Sequence, residues 1–241
     1  MNNKFTYSQY RGFAIRNEIW GDTFVIDEAL GDTYGLSILD PRHTSGNQIV
    51  VDVGAHIGTF ARSYLDKNPA AIVTCVEAVE DNIDALTRNT LGLARILHAA
   101  CTYEDDACLL NSVFAGGQFS GGSIVRSRSE VSNEQVNPQQ YFVEQRNVPA
   151  LTLEQILDVI GEDHIDVLKL DCEGSEMSIL GECQCLDKIG FICGEYHDLS
   201  RWEPLQRRRF SDWEYSIQSG GNVGIFHLRN PNWEGCWNEQ Q

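Results

Sequence analysis

Two carboxylates and a glycine turn carry the first chemical signal in this chain. In Val50-Val51-Asp52-Val53-Gly54-Ala55-His56-Ile57-Gly58-Thr59-Phe60 an acid closes a β-branched run, and glycines mark the turn into a helix. Glycine is needed there because a side chain would hold the backbone away from a ligand, and positive φ angles can be required. A dinucleotide fingerprint wants Gly-x-Gly-x-x-Gly, so that a pyrophosphate can reach the helix N-terminus. Here the second glycine is His56 and Ala61 stands where a third would follow, which disfavours a pyrophosphate. Asp52 argues in the same direction and suits the ammonium group of a methionine moiety. At the end of Thr74-Cys75-Val76-Glu77-Ala78, Glu77 is placed to accept both ribose hydroxyls of a nucleoside. The plainer alternative makes Asp52 a helix cap and Glu77 a surface acid.

The elements that must position these groups read as βαβ units of a parallel sheet. Strands are expected at Ile49–Val53, Ile72–Glu77 and Arg95–Cys101, with helices near Thr59–Asp66 and Asp81–Leu91, where Ile83, Leu86 and Leu91 recur at about helical spacing. Gly116-Gly117, Gly121-Gly122 and the polar stretch Ser127–Gln140 predict a loop or hairpin insertion, either a surface excursion or a substrate wall. Regular alternation resumes with a helix at Leu153–Ile160, a strand at Val167–Leu170, a helix at Glu176–Leu180 and a strand at Ile189–Tyr196. Trp213–Gln218 and Val223–Leu228 flank Ser219-Gly220-Gly221-Asn222, which predicts a closing antiparallel hairpin. Before Ile49, strand-like pieces at Gly12–Ile15 and Thr23–Ile26 suggest a small β-rich cap over residues 1–48, packed as one unit with the domain 49–241. Trp20 and Tyr34 read as core residues of that cap.

The 241 residues suffice for one sizeable core, and 35 acidic against 18 basic residues set a formal charge of −17. Such a field repels phosphate backbones and anionic membranes, so neither nucleic acid nor membrane is expected as a partner. Arg207-Arg208-Arg209 and the pair Arg126/Arg128 read as solvated faces. No apolar run approaches the roughly 20 residues that span a bilayer, and the first residues lack a signal-peptide core, which predicts a cytoplasmic protein. Cys75, Cys101, Cys172 and Cys193 fall in apolar runs and read as reduced core thiols. Cys183-x-Cys185 lacks the spacer and second pair of a zinc ribbon, and His43, His98, His164 and His227 have no second ligand at metal-like spacing, so no metal is expected.

These residues resemble the FkbM family of methyltransferases over roughly Ile49 to His197. The resemblance rests on the Val-Asp-Val-Gly-Ala-His-Ile-Gly turn, the Val-Glu-Ala strand end, the helix from Asn82 through Asn89 and Leu151-Thr152-Leu153. Its most specific part is Ile165-Asp166-Val167-Leu168-Lys169-Leu170-Asp171-Cys172-Glu173-Gly174-Ser175-Glu176, followed by Gly194-Glu195-Tyr196-His197 at the end of a strand. The family commonly has Asn where this chain has His56. The resemblance implies an α/β, Rossmann-like class I methyltransferase fold: a mostly parallel seven-stranded sheet ending in an antiparallel hairpin, here with the N-terminal cap. It also implies methyl transfer from S-adenosyl-L-methionine, usually to a hydroxyl oxygen of a sugar, polyketide or similar small molecule, without an essential metal. By carry-over, Asp52, Gly54 and Gly58, with Ala55, His56 and Thr59 of the same turn, would hold the methionine portion. Glu77, followed by Asn82, would hold the ribose, and Ala78 with the Ala100–Cys101 edge the adenine; Asp171 would face the sulfonium.

An alcohol acceptor must lose its proton as the new bond forms, so a base within about 3 Å of it is useful. His197 is the first expectation, because an unperturbed imidazole titrates near neutrality; Asp171 and Glu173 are the competing bases. Lys169, inside a buried run, is expected to pair with an acid. An N-methyltransferase and a non-catalytic S-adenosylmethionine-binding module are the alternative readings, while His56 and the closing hairpin disfavour a nicotinamide oxidoreductase. No residue pattern sets an oligomeric state.

Overall fold

The computed structural model describes residues 5–35, 47–103, 108–115, 118–126 and 142–233. Its central strand is β3 (Ile49–Val53), five buried residues that are mostly β-branched, as a strand covered on both faces requires. β1 (Tyr7–Tyr10), β2 (Phe13–Arg16) and α1 (Gly21–Leu30) precede it. Helix α2 (Thr59–Lys67), β4 (Ile72–Glu77), α3 (Glu80–Asn89) and β5 (Arg95–His98) then build outward on one side of it. The chain returns through β6 (Ala100–Cys101), β7 (Cys108–Ala115), β8 (Gln118–Arg126), β9 (Phe142–Val148) and β10 (Ala150–Leu151). From there α4 (Leu153–Ile160), β11 (Ile165–Leu170), α5 (Glu176–Glu182), β12 (Ile189–Tyr196), α6 (Leu199–Arg209), β13 (Glu214–Ser219) and β14 (Gly224–Arg229) fill the other side.

The main sheet has seven strands in the order β13-β14-β12-β11-β3-β4-β5. Strands β5, β4, β3, β11 and β12 run parallel, and β14 enters antiparallel between β12 and β13, the hairpin that Ser219–Asn222 predicted. This is the α/β class I methyltransferase architecture expected above. Alternate residues of each strand feed two cores: Val50, Val167 and Phe191 pack with Phe60 and Tyr64 of α2, whereas Val51, Leu168 and Ile192 pack with Ile156, Ile179 and Trp202. The order reverses between β3 and β11, so their C-terminal ends open a crevice at the topological switch point. There a Cβ on Gly54 would lie 1.8 Å from the Asp171 carbonyl oxygen, and the residue has φ +71°. Only glycine lets these two strand ends approach so closely.

Three local expectations are corrected. Thr23–Ile26 lies inside α1 rather than in a strand, because Ile26 and Ala29 bury one helical face and Asp22 in the first turn holds Arg16. The run Arg95–Cys101 divides at Ala99: β5 stays in the main sheet, while β6 turns away to pair in parallel with β10. Gly121-Gly122 sits within β8, so the insertion contains a three-stranded antiparallel sheet in the order β8-β7-β9. Gly116-Gly117 and Ser127–Gln140 lie outside the described residues. Helix α6, which carries Arg207-Arg208-Arg209 in its last turn, is an element the sequence did not signal. No helix among the described residues is long and apolar enough to cross a membrane.

Polar ties join the N-terminal elements to α3. Asn89 accepts the Ala14 N–H at 2.7 Å and donates to the carbonyls of Ala14 at 3.1 Å and Ile57 at 2.8 Å. Arg16 pairs with Asp22 at 2.6 Å, both side chains fully buried, and donates to Asn82 Oδ1 at 2.7 Å and the Asp81 carbonyl at 3.0 Å. Removing one partner of a buried ion pair strands the other charge and costs about 3–5 kcal/mol. Asp22→Ala is therefore expected to lower the urea unfolding free energy by about that amount. The double substitution Arg16→Met/Asp22→Leu should be milder than Asp22→Ala; equal losses would show that the charges do not depend on each other.

Candidate active site

The turn after β3 passes through the left-handed region at Gly54 (φ +71°), His56 (φ +49°) and Gly58 (φ +81°). At position 56 a side chain must tolerate that region, which Asn, Asp and His do better than most residues. The His56 N–H donates to Glu77 Oε2 at 2.7 Å, while its Nδ1 is buried without a hydrogen-bond partner among the described residues. Burial, and then the charge of Arg16, push the imidazole down to about 4, so it is neutral at physiological pH. Ala55 and Thr59 are buried at either side of it, and Gly58 begins α2 against Leu86.

Asp52 is 0% exposed, and the Lys169 ammonium lies 3.3 Å from its Oδ1. Lys169 also donates to the Gly54 carbonyl at 2.8 Å and stands 3.8 Å from Asp171 Oδ2. Burial disfavours the ammonium, but Asp52 and Asp171 outweigh it and hold the lysine above its ordinary range. Lys169 thus pairs with an acid, and of the two carboxylates beside it Asp171 is the more open, with a side chain 20% exposed. Tyr34 donates its hydroxyl to Asp171 Oδ2 at 2.6 Å, and the ammonium sits 5.3 Å from its ring centroid. Tyr34 is separated from Asp171 by 137 positions, so no local pattern could announce this contact.

Glu77 is buried at the end of β4. Its Oε1 accepts the Val79 N–H at 2.7 Å and the Asn82 amide at 3.2 Å, while Oε2 accepts His56 N–H. Burial raises its pKa against these hydrogen bonds. Ala78 and Ala100 share a small apolar cluster with Ile19, Val79 and Val148; Cys101 belongs instead to the larger core with Val53 and Val76.

At the ends of β11 and β12, acids converge on His197. Its Nε2 lies 3.5 Å from Glu173 and 3.6 Å from Glu195, and its Nδ1 3.4 Å from Glu176. Burial opposes protonation there, but Glu176, Glu173 and Asp171 overcome it and push the imidazole up to about 9. His197 is therefore an imidazolium at neutral pH, whereas the sequence led us to expect a neutral base. Glu195, three-quarters buried, is pushed up to about 7 by burial and by Asp171. Glu173 is also pushed up to about 7 by the same two causes, although its side chain is half exposed at the rim. Buried Glu176 accepts the N–H groups of Cys172 at 2.7 Å and Gly174 at 2.9 Å, fixing the turn in which Glu173 adopts φ +59°. Asp171, Glu195 and His197 each offer a ligand atom within 4.8 Å of the others. Glu195 was visible in the sequence only as part of the Gly194–His197 strand end.

A histidine with a raised pKa gives stability that is fully present below its unfolded value near 6.5 and lost as pH rises through about 9. The His197 ring protons are expected to titrate near 9 by NMR and to move toward 6.5 in Glu176→Gln. A wild-type midpoint near 6.5 would remove the imidazolium from this site.

Residues 52–220 match the methyltransferase FkbM domain family, which is more than half of the chain. No curated protein matches it. Similar solved structures include the precorrin-6y C5,15-methyltransferase of Geobacter metallireducens GS-15, 9% identical over 90% of this chain and 93% of that one, with a TM-score of 0.48. The plantazolicin methyltransferase BpumL, solved in complex with SAH, is 12% identical over 87% and 90% of the two chains, with a TM-score of 0.43. The METTL16 methyltransferase domain is 8% identical over 85% and 64%, with a TM-score of 0.44. The family match takes in the glycine turn, Glu77 and the acid-rich ends of β11 and β12 together, and the chain belongs to the methyltransferase FkbM domain family.

Proposed function

We propose that this chain transfers a methyl group from S-adenosyl-L-methionine to a hydroxyl oxygen of a small molecule. The observation that carries the reading is the shared edge of the sheet: the turn Asp52–Thr59, Glu77, and the acids around His197 all lie at the C-terminal ends of neighbouring strands. The fit to the cofactor is supported by the orphaned Nδ1 of His56 in the turn and by the remaining lone-pair capacity of Glu77, whose carboxylate accepts three donors. Glu77 would take the ribose hydroxyls beside Asn82, the backbone of Gly54 to Thr59 would lie against the methionine portion, and Ala78 with Ala100 would flank the adenine. When bound, the cofactor supplies a methyl carbon already activated by a sulfonium.

The chain then has to align the acceptor, exclude water and accept one proton. Asp171, held by Tyr34 and Lys169, would face the sulfonium. Glu195 is the base favoured by this geometry, since a partly buried carboxyl near 7 is matched to proton transfer at neutral pH. His197, already protonated, positions the acids rather than competing for the proton. The formal charge of −17 supports a neutral or cationic small acceptor over nucleic acid. The excess of carboxylates favours an amine acceptor as the second reading, and the position of the transferred methyl in the product separates the two.

S-adenosylhomocysteine is expected to stabilise the native chain by about 2.7 kcal/mol at a hundredfold excess over its dissociation constant, and NADH is not. Glu77→Ala should abolish that stabilisation; NADH binding in place of S-adenosylhomocysteine would end the reading. In methyl-transfer assays, activity should rise with pH through about 7 as Glu195 ionises and fall through about 9 as His197 loses its proton. Glu195→Gln is expected to lower kcat by roughly 10²–10⁴ and to erase the lower inflection. Glu173→Gln should retain it; the reverse pattern would move the base to Glu173.

A further inference from the structure

Away from the strand-end crevice, the Cys183-x-Cys185 pair acquires a third partner that sequence spacing does not reveal. Cys183 caps the C-terminus of α5 and Cys185 follows in the same tight turn, and the two residues are 4% and 3% exposed. Their sulfurs lie 3.3 Å apart, and the Cys185 N–H donates to Cys183 Sγ at 3.3 Å. Glu154, in the first turn of α4, accepts the N–H of the intervening Gln184 at 2.7 Å. One ligand atom from each of Glu154, Cys183 and Cys185 falls within 4.8 Å of the others. A cavity of about 20 Å³, room for one water, is bordered by Glu154, Cys183, Glu182, Thr152 and Thr102.

We propose that Cys183, Cys185 and Glu154 form a binding site for a borderline-soft divalent cation of the zinc type, with a water from the adjoining cavity as fourth ligand. Two sulfurs and a carboxylate oxygen are a donor set that zinc accepts, and tetrahedral geometry at Zn–S of about 2.3 Å needs sulfurs about 3.8 Å apart. The thiols therefore have to part by only about half an ångström, a rotation of the two side chains. Binding converts two thiols to thiolates and releases two protons, while the carboxylate joins already ionised. The Arg209 guanidinium donates to the Cys183 carbonyl and offsets the net negative charge that the bound site would carry. A cation here would staple the start of α4 to the end of α5, the helix whose first residue, Glu176, fixes the turn at Cys172–Gly174. Its role would be structural, and it is independent of the methyl-transfer reading.

The test is a titration of the full chain, reduced with a phosphine and freed of metal, with Co²⁺ and then Zn²⁺. One equivalent of Co²⁺ should produce thiolate-to-cobalt charge-transfer absorption, release about two protons and raise Tm, and Zn²⁺ should displace it. Cys183→Ser and Cys185→Ser should each diminish the charge-transfer band and Glu154→Gln should weaken binding, while Asp171→Asn should leave all of these unchanged. Absence of the charge-transfer band in the folded wild-type chain overturns the proposal without reference to any variant. An undiminished cobalt spectrum in Cys183→Ser/Cys185→Ser, or its loss in Asp171→Asn, would place the metal elsewhere and overturn it as well.

Discussion

Lys169 brings a buried ammonium to the place where β3 and β11 end side by side, within reach of the Asp52 carboxylate, the Gly54 carbonyl and Asp171. An isolated charge in this position would be prohibitively costly, and so would Asp52 without it. Together they let two strand ends meet at the reversal of strand order with polar groups facing each other. Gly54 completes the arrangement by admitting the Asp171 carbonyl where any side chain would collide. The crevice at the switch point therefore depends on one ion pair and one missing Cβ.

That constraint divides the labour between the acids. Asp52 is spent on Lys169 and is sealed from solvent, while Asp171, one strand away, keeps an open edge and is steadied by Tyr34. Farther along the same edge the excess negative charge is managed by proton uptake: His197 holds its proton firmly, and Glu195 stands near the point of losing its own. Crowding of like charges in a partly dry cleft is what creates groups that titrate near neutrality. On the nucleoside side the same principle works through hydrogen bonds. Glu77 is surrounded by N–H donors, and Asn82 passes its ordering on to Arg16 and Asp22, which tie α1 and β2 to the domain.

Legibility followed the range of the interactions involved. The bounds of β3, β4, α4 and β12 coincide with those read from the chain, because β-branched runs and helical spacing are local signals. Thr23–Ile26 misled because its strand-like residues are overruled by a helix anchored through the Arg16–Asp22 pair, a tertiary contact. The division of Arg95–Cys101 into β5 and β6 depends on Ala150–Leu151, some fifty residues downstream. Helix α6 was hidden because its polar surface breaks the apolar period and Pro204 interrupts it, although Trp202 and Leu205 bury its inner face.

By itself the sequence determined the α/β architecture, the glycine turn, the acids at the ends of successive strands and the family they belong to, since each is written in residues that neighbour one another. Tertiary structure decided which acid is neutralised, which remains open and which histidine is charged. Those outcomes rest on desolvation and on Coulomb energies between residues distant in the chain, such as Tyr34 with Asp171 or Asp52 with Lys169. The proton on His197 is the clearest case: its side chain is ordinary, and only the packing of Glu176, Glu173 and Asp171 around it moves the imidazole to about 9.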